Sequence, residues 1–375
     1  MSSHGSGHRS LSALPVVLCA VLLVATSLGA GAQSSFIGPL GLGPSVSTVP
    51  NNGDVNPYGM ALVQETKGSL IKGDILISNF NNSANLQGTG TTIMEISPQG
   101  AVQTFAQIDA TKVPGACPGG VGLTTALVAL RTGWVIVGSL PTTDGTAATA
   151  QAGCLLVLNS MGQVVETFSG KPINGPWDAT VVERGNVAAL FFTSVLNGTV
   201  EANGNVVPRA TVVRMLLSVS ATSMPKVLQT TIVGSGLPAR TDPAALVIGP
   251  TGLALSAGGA RLYVNDSLSN RIAVIHDPIT RSNSAGVGMT LTEGHQLNDP
   301  LGLTRAPDGH LIVANGGNGN LVEVTRKGQQ IATKVVDMGG GPPPGAGDLF
   351  GVLAVPGKIY FVDDGTNTMD ALERH

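Results

Sequence analysis

Gly249-Pro250-Thr251-Gly252-Leu253-Ala254-Leu255 opens the stretch that decides the fold. It continues through Arg261-Leu262-Tyr263-Val264-Asn265-Asp266, a polar turn Ser267-Leu268-Ser269-Asn270, and Arg271-Ile272-Ala273-Val274-Ile275. Aliphatic, β-branched runs broken by Gly, Ser and Asn read as short strands joined by tight turns. The skeleton returns from Pro250 to Pro300: Asp299-Pro300-Leu301-Gly302-Leu303-Thr304, a Pro307-Asp308-Gly309 turn, Leu311–Asn315, Asn320–Val324 and a fourth run over Gln330–Val336. Four short strands per unit at that interval is the size of a propeller blade.

Working outward, the same skeleton recurs with more drift, in units starting near residues 57, 120, 176, 250, 300 and 350. This predicts an all-β fold, a six-bladed β-propeller of four-stranded blades. The unit from residue 350 lacks a fourth strand, and Ser45-Val46-Ser47-Thr48-Val49 is free to supply one. The reading therefore closes the last blade with an N-terminal strand at about 45–49, which removes an unpaired edge. A seventh blade stays open if residues 221–248 hide another unit.

The segment Leu262-Tyr263-Val264-Asn265-Asp266-Ser267-Leu268-Ser269-Asn270-Arg271-Ile272 resembles the signature of the NHL-repeat family of six-bladed propellers. The units from 120 and 176 depart from it, lacking the Asp and the Asn-Arg-Ile segment. The resemblance implies a propeller over nearly all of residues 45–375, with ligands on the face formed by the loops that enter the first strand and follow the second.

Only 11% of residues are charged, and the formal net charge is -3. No Lys/Arg run supplies the basic face that phosphate neutralisation needs, which argues against nucleic-acid binding. Arg9, the apolar run Leu11–Leu28 and Ala30-Gly31-Ala32 before Gln33 read as a signal peptide over 1–32, leaving one domain over 33–375. The expected location is periplasmic or extracellular, with no membrane span in the mature chain and a monomeric state. Cys117 and Cys154 then form an even pair in an oxidising compartment and predict a disulfide.

The unit alignment puts Asn79, Ser139, Ser194, Asp266, Asn315 and Asp364 at the end of each second strand, where short polar side chains cap the following turn. The ligand-face candidates are Trp177, Asp178, Asp266, His295, Asp348 and Asp364. The histidines His276, His295 and His310 are expected in exposed loops. No convergent catalytic set is evident, so the sequence leans away from an enzyme. It favours an exported scaffold that binds a small molecule, a glycan or an envelope protein on that loop face. The alternative is a metal-dependent lactonase- or esterase-like hydrolase, whose fold relatives carry Pro-Asn-Gly and Pro-Asp-Gly ligand motifs. Here those positions read Pro250-Thr251-Gly252 and Pro300-Leu301-Gly302, and leucine offers a hard cation nothing. No cofactor or metal ligand is assigned; calcium is left open.

Overall fold

A computed structural model describes residues 1–5, 7 and 34–374, and the propeller occupies residues 35–374. The segment 1–32 read as a signal peptide, with Arg9 and Ala30-Gly31-Ala32, lies outside the described residues apart from 1–5 and 7. Among the described residues no helix is long and apolar enough to cross a membrane.

Six antiparallel sheets form the ring. Blade 1 holds Val55–Leu62, Ile75–Asn81, Thr92–Ile96 and Val102–Gln107; blade 2 holds Leu123–Ala129, Val135–Ser139, Cys154–Leu158 and Val164–Phe168. Blade 4 spans Pro250–Leu255 to Met289–Glu293, and blade 5 spans Pro300–Arg305 to Gln330–Val335. Central strands are buried on both faces between neighbouring blades, hence their near-continuous apolar runs such as Leu155-Leu156-Val157-Leu158.

Blade 3 absorbs the segment over 221–248 that the sequence leaves open for a seventh blade. Its outer strand is the long Lys226–Asp242, paired along Val207–Ser218, and Leu246–Ile248 adds a fifth strand at its end. The residues of 221–248 are therefore spent on extending one sheet.

Blade 6 contains Leu349–Val355, Lys358–Asp363 and Thr368–Glu373, and the N-terminal arm completes it. Val46–Ser47 pairs with Met369 and Thr368, as the sequence predicts. A second short strand, Gly41–Leu42, pairs with Glu373 and Leu372. Upstream, Ile37 and Leu40 are buried in the core between blades 5 and 6. The carboxylate of Glu323, on blade 5, accepts hydrogen bonds from Ser35 Oγ (2.6 Å), Phe36 N–H (2.9 Å) and Ile37 N–H (3.0 Å). The arm thus spans the seam, locked to blade 5 by a buried acid and to blade 6 by a strand ladder.

Five inner strands share one irregularity. A pair near the strand start (Pro57 with Asn79, Pro176 with Ser194, Pro250 with Asp266, Pro300 with Asn315, Leu349 with Asp363) is followed by a one-residue bulge before the ladder resumes, and blade 2 carries a wider bulge between Leu123 and Leu127. The second residue after that pair is Gly59, Gly252, Gly302 and Gly351 in four of these blades. The need is steric. A Cβ on Gly252 would press onto Leu301 O, one on Gly302 onto Phe350 O, and one on Gly351 onto Tyr58 O. In blades 4, 5 and 6 the inner strand therefore rests directly on the backbone of the next. In blade 3 the same position is Asp178.

Candidate functional site

The six inner strands enclose a central channel of about 470 Å³. At the entry-loop end the first residues of these strands meet as an aromatic plug. The Tyr58 ring stacks on Phe350 at 3.8 Å and on Phe80 at 4.5 Å, and Trp177 stands edge-on to Tyr58 and Phe80 at 5.9 and 5.5 Å. Loop residues Leu140 and Leu196, and Leu246 and Val247 of the short fifth strand of blade 3, pack onto the same cluster. The loops above are bonded to one another: Thr142 N–H donates to Gly88 O, and Gln87 Nε2 donates to Ala244 O. At the other end the lining runs out to Gln64, Arg305 and the exposed Ala257-Gly258. The cavity therefore opens on the face of the strand 1–2 turns, opposite the loop face that the sequence singles out. The reason is the apolar character of Tyr58, Trp177, Leu301 and Phe350 at the strand starts, which close over that end by burial.

Asp178 lies one residue inside the plug. Its carboxylate accepts a hydrogen bond from Leu253 N–H at 2.8 Å, reaching from blade 3 to blade 4. It keeps partial contact with the lumen while protein surrounds the carboxyl. Burial, only partly opposed by the Ala179 and Leu253 N–H groups, raises it to about 7. The group can therefore bind or release a proton near neutrality. Around it, side chains close the ring: Ser78 Oγ donates to Thr124 O (2.7 Å), Thr125 Oγ1 to Trp177 O, and Thr251 Oγ1 to Leu301 O (3.0 Å).

The other candidates do not converge with Asp178. Trp177 is part of the plug and only 2% exposed. Asp266 is fully buried and ion-paired with Arg271 Nε at 2.9 Å, and Arg271 also donates to Thr290 Oγ1 and Val287 O. That is a structural clamp within blade 4; the Asp266 side chain makes no hydrogen bond to the turn at Ser267–Ser269, so it does not cap it as the sequence reading expects. His295 is exposed, in left-handed backbone with φ of 56°, and is not part of the channel lining. Asp348 and Asp364 sit at the entry of blade 6 with Asp337 and Asp363. Burial and then the neighbouring acids hold Asp364 at about 8; burial and then Asp337 hold Asp348 at about 6.

Two expectations change in detail, and a third holds. The strand-end position of blade 6 is Asp363, paired with Leu349, and Asp364 is one residue beyond it. The two adjacent aspartates make that register ambiguous in sequence. His310 is 3% exposed, not a loop residue at the surface, because its Nδ1 meets Glu323 Oε1 at 2.6 Å. Cys117 and Cys154 are joined as predicted, with Cα atoms 5.2 Å apart, tying the entry loop of blade 2 to its third strand.

Asp308, His310 and Glu323 offer ligand atoms within 4.8 Å of one another. The Glu323 oxygens, however, already hold two donors each: Phe36 N–H and His310 on Oε1, Ser35 Oγ and Ile37 N–H on Oε2. That carboxylate fits an anchor for the arm and does not fit a cation ligand. The strand starts around the channel do not fit one either, since Tyr58, Trp177, Leu301 and Phe350 converge there as rings and an aliphatic side chain.

No family model matches the chain, and no curated protein matches it. Solved structures do. Regucalcin, a calcium-binding protein from Agrobacterium tumefaciens, is similar at 12% identity over 88% of this chain and 93% of that one, with a TM-score of 0.53. A luciferin-regenerating enzyme is similar at 13% identity over 89% and 96% (TM-score 0.51). A gluconolactonase from Xanthomonas campestris is similar at 14% identity over 89% and 96% (TM-score 0.50). Those likenesses show the fold. They place the chain among six-bladed propellers, while the NHL-repeat signature finds no matching family model.

The residue that sequence reasoning undervalued is Asp178. Its signal was available: Pro176-Trp177-Asp178 stands where Pro250-Thr251-Gly252 and Pro300-Leu301-Gly302 stand. A repeat whose packing demands glycine makes an acid at the same place conspicuous.

Proposed function

We propose that this protein is an exported propeller that binds a small molecule inside its central channel, entered from the face of the strand 1–2 turns, with Asp178 as the anchoring group. The observation that carries the reading is the placement of a carboxyl, held near neutrality, at a bulge that is glycine in four of the five blades sharing it. Structural demand at that position selects the smallest residue, so a buried acid there asks for a reason beyond packing. The enclosed volume and mainly uncharged wall suit a ligand pocket.

The test is a thermal-shift screen of small polar and amphipathic compounds against the wild type and Asp178→Gly, which restores the residue of the other blades. Ligands of the channel shift the wild-type Tm and leave the variant unmoved. Hits that shift both proteins equally would sink the reading.

A second reading, a lactonase- or esterase-like hydrolase, draws support from the same carboxyl, because a proton donor-acceptor near neutrality beside a bound ligand is what general acid–base catalysis uses. The enzyme and calcium-binding fold neighbours are compatible with it. Its metal-dependent form lacks a donor set around the plug. Lactone and ester turnover measured with and without added calcium, abolished in Asp178→Asn, would raise this reading above the first.

A further inference from the structure

The charges of the channel are ordered along its axis. Asp178 forms the floor, just inside the plug. Arg305 ends the inner strand of blade 5, three residues beyond Gly302, the blade 5 counterpart of Asp178. At roughly 3.3 Å per residue, the two lie about 10 Å apart along the strand direction. Among the described residues lining the channel, these are the only charged ones, and Ala179, Thr180, Leu303 and Thr304 form uncharged wall between them.

Two further guanidinium groups stand at the rim. Arg131 Nε donates to Gln64 Oε1 at 2.8 Å, and Arg184 Nη2 donates to Gly258 O at 2.7 Å; both acceptor residues line the channel. The rim acid Glu183 accepts a hydrogen bond from the Arg131 backbone N–H at 3.0 Å and keeps its charge, which the three guanidinium groups outnumber. The mouth is thus positive and the floor is acidic.

We infer that the channel takes a linear zwitterion of extended-tripeptide length, its ammonium end against Asp178 and its carboxylate against Arg305. This rests on the channel being the ligand site and names the class of molecule that fits it. Three extended residues span about 10 Å, which matches the interval between the two residues along the strand direction. Carboxylate and guanidinium pair through two parallel hydrogen bonds, which fixes the outer end. An enclosed channel penalises any charge that enters without a partner, so capping either ligand end leaves one protein charge unmatched and costs affinity. Polarity along the axis also sets direction: a ligand entering carboxylate first would bring its anion to Asp178.

Calorimetric titration of the full chain with L-Ala-L-Ala-L-Ala tests this, alongside its N-acetyl and C-amide forms and the dipeptide. Each cap is expected to weaken binding at least tenfold, and the dipeptide is expected to bind more weakly than the tripeptide. Asp178→Asn should erase the penalty for the N-acetyl group only, and Arg305→Gln that for the amide only. Equal affinity for free and capped tripeptides, or no binding of the free form, overturns the inference. Alkylation of Thr180→Cys by iodoacetamide separates the two levels. If tri-alanine gives no protection but other compounds from the screen do, the channel reading stands and the zwitterion falls. If nothing protects, both fall.

Discussion

Asp178 of blade 3 and Leu253 of blade 4 are joined at 2.8 Å, carboxylate to backbone N–H, at the height where glycines elsewhere let one inner strand rest on the next. A side chain here does the joining that bare backbone contact does in other blades. The two arrangements respond differently to substitution. Gly302→Ala should lower stability by about 1–3 kcal/mol, since its Cβ meets Phe350 O and backbone cannot yield cheaply. Asp178→Gly removes one hydrogen bond and a buried acid together, with an expected net change within about 1 kcal/mol. Urea unfolding of the two variants checks this; the reverse order of stabilities refutes it.

Stability should fall as pH rises from about 5 to 8. Asp178 is held at about 7, Asp364 at about 8, and Asp348 and Asp299 at about 6, with burial the first cause in each. These folded-state values are raised, so the folded protein keeps protons that the unfolded chain has already released above about pH 4. The unfolded state then binds fewer protons, and the slope of stability with pH is negative across the window. Denaturant midpoints measured at pH 5 and 8 should show it, with Asp364→Asn and Asp178→Asn each flattening the profile.

Glu323 works in the opposite sense. Burial pushes its carboxyl up, but the donors from Phe36, Ser35, His310 and Ile37 outweigh that, and the net shift is downward. Its contribution is present above the ordinary glutamate range and lost as pH falls through the lowered value. Glu323→Gln should cost about 2–3 kcal/mol through weakened charge-assisted bonds. Limited proteolysis followed by mass spectrometry should show faster cutting within residues 35–47; an unchanged cleavage rate counts against the lock.

Reducing the Cys117–Cys154 bond frees a loop of 37 residues, worth about 4 kcal/mol in the chain-entropy account. A double Cys→Ser variant should lose much of that on unfolding. Local loosening is expected at the blade 2 entry loop, readable by hydrogen exchange over 113–122.

The blades, the N-terminal closure and the cysteine pair were legible because each follows from local pattern: strand-length aliphatic runs, turn residues at fixed offsets, and an even thiol count. The open end of the channel was not. It depends on Tyr58, Phe80, Trp177 and Phe350, from three blades, meeting in space, and nothing in their spacing announces that meeting. Glu323 escaped notice for a similar reason, because its partners on the N-terminal arm lie 286 to 288 positions away. In blade 6 the neighbouring Asp363 and Asp364 made a one-residue error easy, and strand pairing with Leu349 resolves it.

The seam between blades 5 and 6 also sets an order in time. Ser35 and Ile37 cannot meet Glu323 until almost the whole chain has been made, since nearly 290 residues separate them. Blades 1 to 4 can assemble from neighbouring segments as they emerge, but the ring stays open, with a bare edge on blade 6, until its earliest residues are captured by its latest. Such a distant contact is the slowest class to form and leaves an edge exposed meanwhile. The arm is therefore the last part to be placed, and the newly made chain is at its most vulnerable to strand exchange with another copy in the interval before it docks.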